Sequence, residues 1–167
     1  IYGGTFNLLD VTMRKMGIDV TFVSPDSTID EIIAAAKPNT KCVFAETLSN
    51  PSLVVLDIET FAAAAHQIGV PLIVDNTFPT PINCQPIRFG ADIVTHSTTK
   101  YMEGHASTIG GVIVDSGNFD WTAHAEKYPG LCTPDESYHG ITYTEKFGKD
   151  AQHKIDASLG TEVSSTT

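Results

Sequence analysis

The amino-acid sequence predicts an α/β protein, a mostly parallel sheet with helices on both faces. Three observations predict it. Short β-branched runs alternate with helical patterns, the runs are apolar almost throughout, and Gly, Pro, Asn or Asp bound them. In chain order, Leu8–Met16 reads as a helix and Val20–Val23 as the first strand. Ile29–Lys37 follows as an Ala-containing helix that Thr28 or Asp30 can cap. Cys42–Glu46 is the next strand. Ile58–Gln67 is a helix with Asp57 and Glu59 at its start and Gly69 placed as its C-terminal cap. Leu72–Asp75 and Asp92–His96 are two further buried strands, and Ile109–Val114 is an additional one that can run antiparallel.

Composition narrows the function classes. The 167 residues suit one domain, and 41% hydrophobic with 18% charged residues is an ordinary globular balance. A net charge of −10 without a basic stripe disfavours a nucleic-acid partner. No apolar run approaches the roughly 20 residues of a membrane helix. Three cysteines without a CxxC pair read as reduced thiols of a cytoplasmic protein, and six histidines without ligand spacing argue against a metal site. Neither a Walker lysine loop nor a GxSxG elbow is present. The chain begins and ends without terminal signals, and it reads as a segment of a longer polypeptide.

Ligands of such sheets sit beyond the carboxyl ends of the strands, and chemically useful residues do follow each predicted strand. Thr47, Asn50 and Pro51 come after Cys42–Glu46, Asp75, Asn76 and Thr77 stand at the end of Leu72–Asp75, and Ser97 to Lys100 come after Asp92–His96. A lysine after a strand is commonly a plain surface residue. Hydroxyls and turn amides beside it form an anion site, however, and a desolvated lysine there can act as a nucleophile. Phosphate donors next to an amine fit a cofactor that carries both a phosphate and an aldehyde, so Lys100 is read as forming a Schiff base with pyridoxal 5′-phosphate. Asp75 is either a turn former or the partner of a protonated ring nitrogen, a pairing that makes the ring an electron sink. Tyr2 before Gly3-Gly4 is either a core tyrosine or a ring stacked on a planar cofactor. Asn50-Pro51 is a turn whose amide can bond an oxygen.

These residues resemble a known family. Val74-Asp75-Asn76-Thr77-Phe78, Gly90-Ala91-Asp92-Ile93-Val94 and His96-Ser97-Thr98-Thr99-Lys100-Tyr101 with Gly104-His105 are similar to the signature of the Cys/Met-metabolism pyridoxal-phosphate enzymes. Tyr2-Gly3-Gly4-Thr5 and Glu46 with Asn50-Pro51 fall in the same order. The resemblance covers residues 1–149. Ile109–Gly117 and the stretch from Tyr128-Pro129-Gly130 to Ser137-Tyr138-His139-Gly140 look most like the O-acetylhomoserine sulfhydrylase branch.

The resemblance implies part of the large domain of a fold-type I enzyme over residues 1–149, with residues 150–167 as a tail that matches no family motif. It implies Lys100 as the Schiff-base lysine and proton shuttle, Asp75 on the pyridine nitrogen, and Tyr2 stacked on the ring and assisting proton movement. Ser97 and Thr99 would hold the phosphate, with Thr77 and Asn50 near the ring and its phenolic oxygen. The implied reaction is γ-replacement, O-acetyl-L-homoserine and sulfide giving L-homocysteine and acetate in a cytoplasmic homotetramer. Rival readings are a cystathionine γ-synthase, a methionine or cystathionine γ-lyase, and a cofactor-domain fragment without turnover. The family's Gly-Met phosphate loop, the Tyr and Arg lent by a neighbouring subunit, and the carboxylate-binding arginine have no counterpart in these 167 residues.

Overall fold

A computed structural model describes residues 1–105 and 107–147. The segment 150–167, read above as a tail, lies outside the described residues. The chain divides into two compact units, Ile1–Val114 and Asp115–Thr167.

The first unit carries the sheet. Its strands are β1 (Val43–Glu46), β2 (Leu72–Asp75), β3 (Ile93–His96) and β4 (Val112–Asp115), in the order β1-β2-β3-β4. The first three run parallel, with Glu46 level with Asp75 and Asp75 level with Thr95. Residues level across parallel strands share a face. Ala45, Val74 and Val94 therefore form one buried row, and it packs with Ile32 of α2 (Ile29–Ala35) and with Phe61, Ala62 and Ala65 of α3 (Ile58–Ile68). Small alanines let α3 sit close to the strands, and Ala64 and Ala65 are fully buried.

Local chemistry sets the helix ends. Thr28 and Glu31 form a reciprocal capping box on α2. That helix stops at Ala35, two residues short of the predicted end, because Pro38 disfavours α backbone at Lys37 and the chain has turned extended at Ala36. Asp57 caps α3 through the Thr60 amide, and Gly69 ends it at φ 75°. The helix predicted from Leu8 begins earlier: Tyr2 is the N-cap of α1 (Gly3–Asn7), which runs on into a π-helical turn at Leu8–Met13.

The predicted strand Val20–Val23 does not form. The segment pairs with no strand, and Phe22 instead stacks on Phe6 at 4.9 Å between ring centroids. A strand exists only through its ladder. Val20 and Phe22 line, with Val43 and Phe44 of β1, a cavity of about 620 Å³.

At the amino end of the sheet, buried Asp92 accepts the Leu72 amide and pairs with His66, both at 2.8 Å. Asp92 thus serves as a bracket between β2, α3 and β3 rather than as the first residue of a strand. Between β2 and β3 the chain passes through α4 (Thr80–Asn83) and a 3₁₀ turn at Pro86–Phe89.

The second unit has α5 (Pro129–Cys132), α6 (Tyr143–Phe147) and 3₁₀ turns at Thr122–His124 and Glu136–Tyr138. Phe119 is buried there, with Trp121, His124 and Tyr128 around it. Asp135 accepts the Ser137 hydroxyl, the Tyr143 hydroxyl and the Ser137 amide, which hold its carboxyl below the usual range. Among the described residues no helix is long and apolar enough to cross a membrane.

Candidate active site

Every site residue read from the sequence lies in the first unit, and Asn50, Asp75, Thr77, Ser97, Thr99 and Lys100 all follow or end a strand at its carboxyl end. Asp75 is the last residue of β2. Its Oδ1 accepts the amide of Thr77 at 2.9 Å and the hydroxyl of the same residue at 2.5 Å. Thr77 Oγ1 in turn accepts the Ser97 amide at 2.9 Å, which ties the tip of β2 to the turn after β3. Lys100 closes that turn, its amide donating to the Ser97 carbonyl at 3.2 Å. Asp75 Oδ2 and the Lys100 ammonium make no hydrogen bond or ion pair among the described residues.

Thr99 points its hydroxyl at the strand that follows. It donates to the Gly110 carbonyl at 3.1 Å and accepts the Gly110 amide at 2.9 Å. A Cβ at Gly110 would lie 2.5 Å from Thr98 Oγ1, so any larger residue there would make the Thr98 side chain turn away. The Thr99 hydroxyl therefore fixes the Lys100 turn from one side while Thr77 fixes it from the other. Asn50 sits at the tip of the loop after β1, next to a cis Asn50–Pro51 bond. The loop is closed by an isolated bridge between Leu48 and Val55.

Tyr2 is tied to the carboxyl end of the sheet through Glu46. Glu46, the buried last residue of β1, accepts the Tyr2 amide on Oε1 at 2.7 Å. The Tyr2 ring lies back over Gly4, where a Cβ would stand 2.8 Å from Tyr2 Cε1. Half of Tyr2 is exposed. A carboxylate ending an apolar strand was the available signal for Glu46, the same signal that singled out Asp75. Phe78 and Tyr101 were also passed over. They meet edge to face at 5.8 Å, joining the segment after Asp75 to the turn that ends at Lys100.

His96 ends β3 buried, with no hydrogen-bond partner for Nδ1 among the described residues. Burial pushes its pKa below 6.5, against a hydrogen bond to the Asn76 backbone and the charge of Asp75. Asn76 Oδ1 and Thr47 Oγ1 are likewise buried without partners.

The donor set suits pyridoxal phosphate. A carboxylate with one oxygen committed and one open matches a protonated ring nitrogen, an uncommitted amine matches an aldehyde, and the Ser97 hydroxyl beside a turn suits a phosphate. A half-exposed tyrosine ring suits a planar heterocycle.

A parallel α/β sheet with an open carboxylate, an amine and a hydroxyl-rich turn at its carboxyl edge is the arrangement of a ligand-binding α/β domain. The chain belongs to the Cys/Met metabolism PLP-dependent enzyme family, whose pattern matches residues 1–159. It is 46% identical over 149 residues to a homocysteine/cysteine synthase of Saccharomyces cerevisiae, covering 89% of this chain and 33% of that one. It is 41% identical over 169 residues to an O-acetyl-L-homoserine sulfhydrylase of Corynebacterium glutamicum, covering 99% and 39%. A Campylobacter jejuni crystal structure described as an O-acetylhomoserine (thiol)-lyase superposes with a TM-score of 0.84 at 32% identity, covering 96% of this chain and 40% of that one. That crystal structure contains N′-pyridoxyl-lysine-5′-monophosphate. The chain spans about a third of the length of the curated relatives it matches.

Proposed function

We propose that the protein binds pyridoxal phosphate through Lys100 and Asp75 and converts O-acetyl-L-homoserine and sulfide to L-homocysteine and acetate. The observation that carries the cofactor half is the pairing of an uncommitted Asp75 oxygen with an uncommitted Lys100 amine at neighbouring strand ends. The names of the relatives at 41% and 46% identity support the substrate half.

When bound, the cofactor supplies an electron sink that stabilises negative charge at substrate carbon. The rest falls to the chain. Asp75 presents its open oxygen to the ring nitrogen, and Thr77 stands beside it. The Ser97 hydroxyl binds phosphate, with Thr99 holding the same turn through Gly110. Asn50 offers an amide to the phenolic oxygen. Tyr2 covers one ring face and its hydroxyl accepts or returns a proton, and the Lys100 amine moves protons between substrate carbons. In this reading residues 1–149 are part of the cofactor-binding domain, and the protein works as a homotetramer in the cytoplasm.

The test is chemical. The protein is incubated with pyridoxal phosphate and reduced with borohydride, and the modified lysine is mapped by mass. Labelling at Lys100 is expected, and labelling elsewhere overturns the assignment. Homocysteine from O-acetylhomoserine plus sulfide supports the reaction, whereas ketoacid and ammonia from methionine would point to a lyase.

A further inference from the structure

We propose that Thr77 is a positioning residue whose hydroxyl acts on the cofactor through Asp75 and not by a hydrogen bond of its own. This rests on the proposed cofactor site and deepens it. A threonine hydroxyl has a single proton. Thr77 Oγ1 accepts the Ser97 amide, which can only donate, so its own proton goes to Asp75 Oδ1. Together with the Thr77 amide, two donors converge on that one oxygen. The carboxylate is thereby fixed in rotation, and Oδ2 is the oxygen left for a ring nitrogen.

The same hydroxyl bridges two strand ends. Asp75 ends β2, and Ser97 begins the turn that Lys100 closes by donating its amide to the Ser97 carbonyl. Thr77 thus sets the spacing between the group that would bind the ring nitrogen and the amine that would bind the aldehyde. A rigid ring must meet both at once. An error in that spacing costs affinity even when every contacting residue is intact.

The experiment uses the full protein and reads the affinity for pyridoxal phosphate by absorbance titration, together with the position of the bound cofactor's visible band. T77V keeps shape and removes the hydroxyl. It is expected to weaken binding about tenfold, the effect of losing one hydrogen bond to a charged group. T77S keeps the hydroxyl and is expected to stay within about twofold of wild type. In a D75A background T77V is expected to add less than about twofold, because its route to the cofactor is already gone. A tenfold loss that persists in D75A overturns the proposal, since Thr77 would then act independently of Asp75. Loss in T77S equal to that of T77V also overturns it, because a retained hydroxyl would then fail to preserve binding. Wild type labelled at Lys100 with T77V binding unchanged sinks the Thr77 role alone. Wild type unlabelled at Lys100, with D75A indistinguishable from it, sinks the cofactor site itself.

Discussion

At the scale of single residues, carboxylates that end strands divide into different tasks according to what reaches them. Asp75 takes two donors from Thr77 on one oxygen and keeps the other open. Glu46, level with it on β1, uses an oxygen to hold the amide of Tyr2. Because Tyr2 is the N-cap of α1, that hydrogen bond also anchors the helix start to the sheet. We expect Glu46→Leu to speed hydrogen exchange at the Tyr2 amide and to cost about 1–2 kcal/mol of stability in urea denaturation, with Glu46→Gln closer to wild type. Unchanged Tyr2 exchange in Glu46→Leu would show that the contact does not anchor the helix. Asp75 and Lys100 were legible in the sequence because charged groups at the ends of apolar strands need a reason. Glu46 obeys the same rule, but its partner lies 44 residues away, and no local pattern reports that.

At the scale of elements, α2 and α3 were readable because their ends are local chemistry. Thr28 with Glu31, Asp57 with Thr60 and the left-handed Gly69 each act within a few residues. Gly90 shows what local reading leaves out. It ends the 3₁₀ turn before β3 at φ 97°, and a Cβ there would stand 2.9 Å from the Cβ of Ala62 on α3. Gly90→Ala therefore combines left-handed strain with overpacking, and a loss of about 2–3 kcal/mol is expected by urea denaturation. Ala62→Gly in the same chain should restore only the packing part. Full restoration would mean that backbone strain contributes nothing. The strand predicted at Val20–Val23 failed for the complementary reason: β propensity is real there, but a strand needs a paired neighbour, and the segment pairs with none.

For the whole molecule, the relevant quantity is how stability responds to pH. His96 is buried with its pKa lowered, mainly by desolvation. The unfolded chain then binds a proton that the folded chain refuses, so stability rises with pH across that interval. The contribution is fully present above the ordinary value of 6.5 and is lost as pH falls from there toward the lowered folded value. His96→Gln should flatten that slope when chemical denaturation is compared between about pH 7.5 and about pH 5.5. An unchanged slope would exclude His96 as its source. Glu31, Asp57 and Asp135 act in a separate window. Hydrogen bonds lower their pKa values, so their contribution is present above the ordinary carboxylate range and disappears as pH falls through the lowered values.

By itself the sequence determined the α/β class, the helix caps, three of the buried strands and the placing of Asp75, Lys100 and their neighbours at or just after strand ends. Those features depend on interactions over a few residues or on a periodicity that burial imposes. The tertiary structure alone decided that Glu46 holds Tyr2, that Thr99 turns toward Gly110, that Asp92 brackets the amino end of the sheet, and that Val20–Val23 stays unpaired. Each of those outcomes is a contact between distant segments. Which donor meets which acceptor there depends on where the parallel strands bring their ends in space.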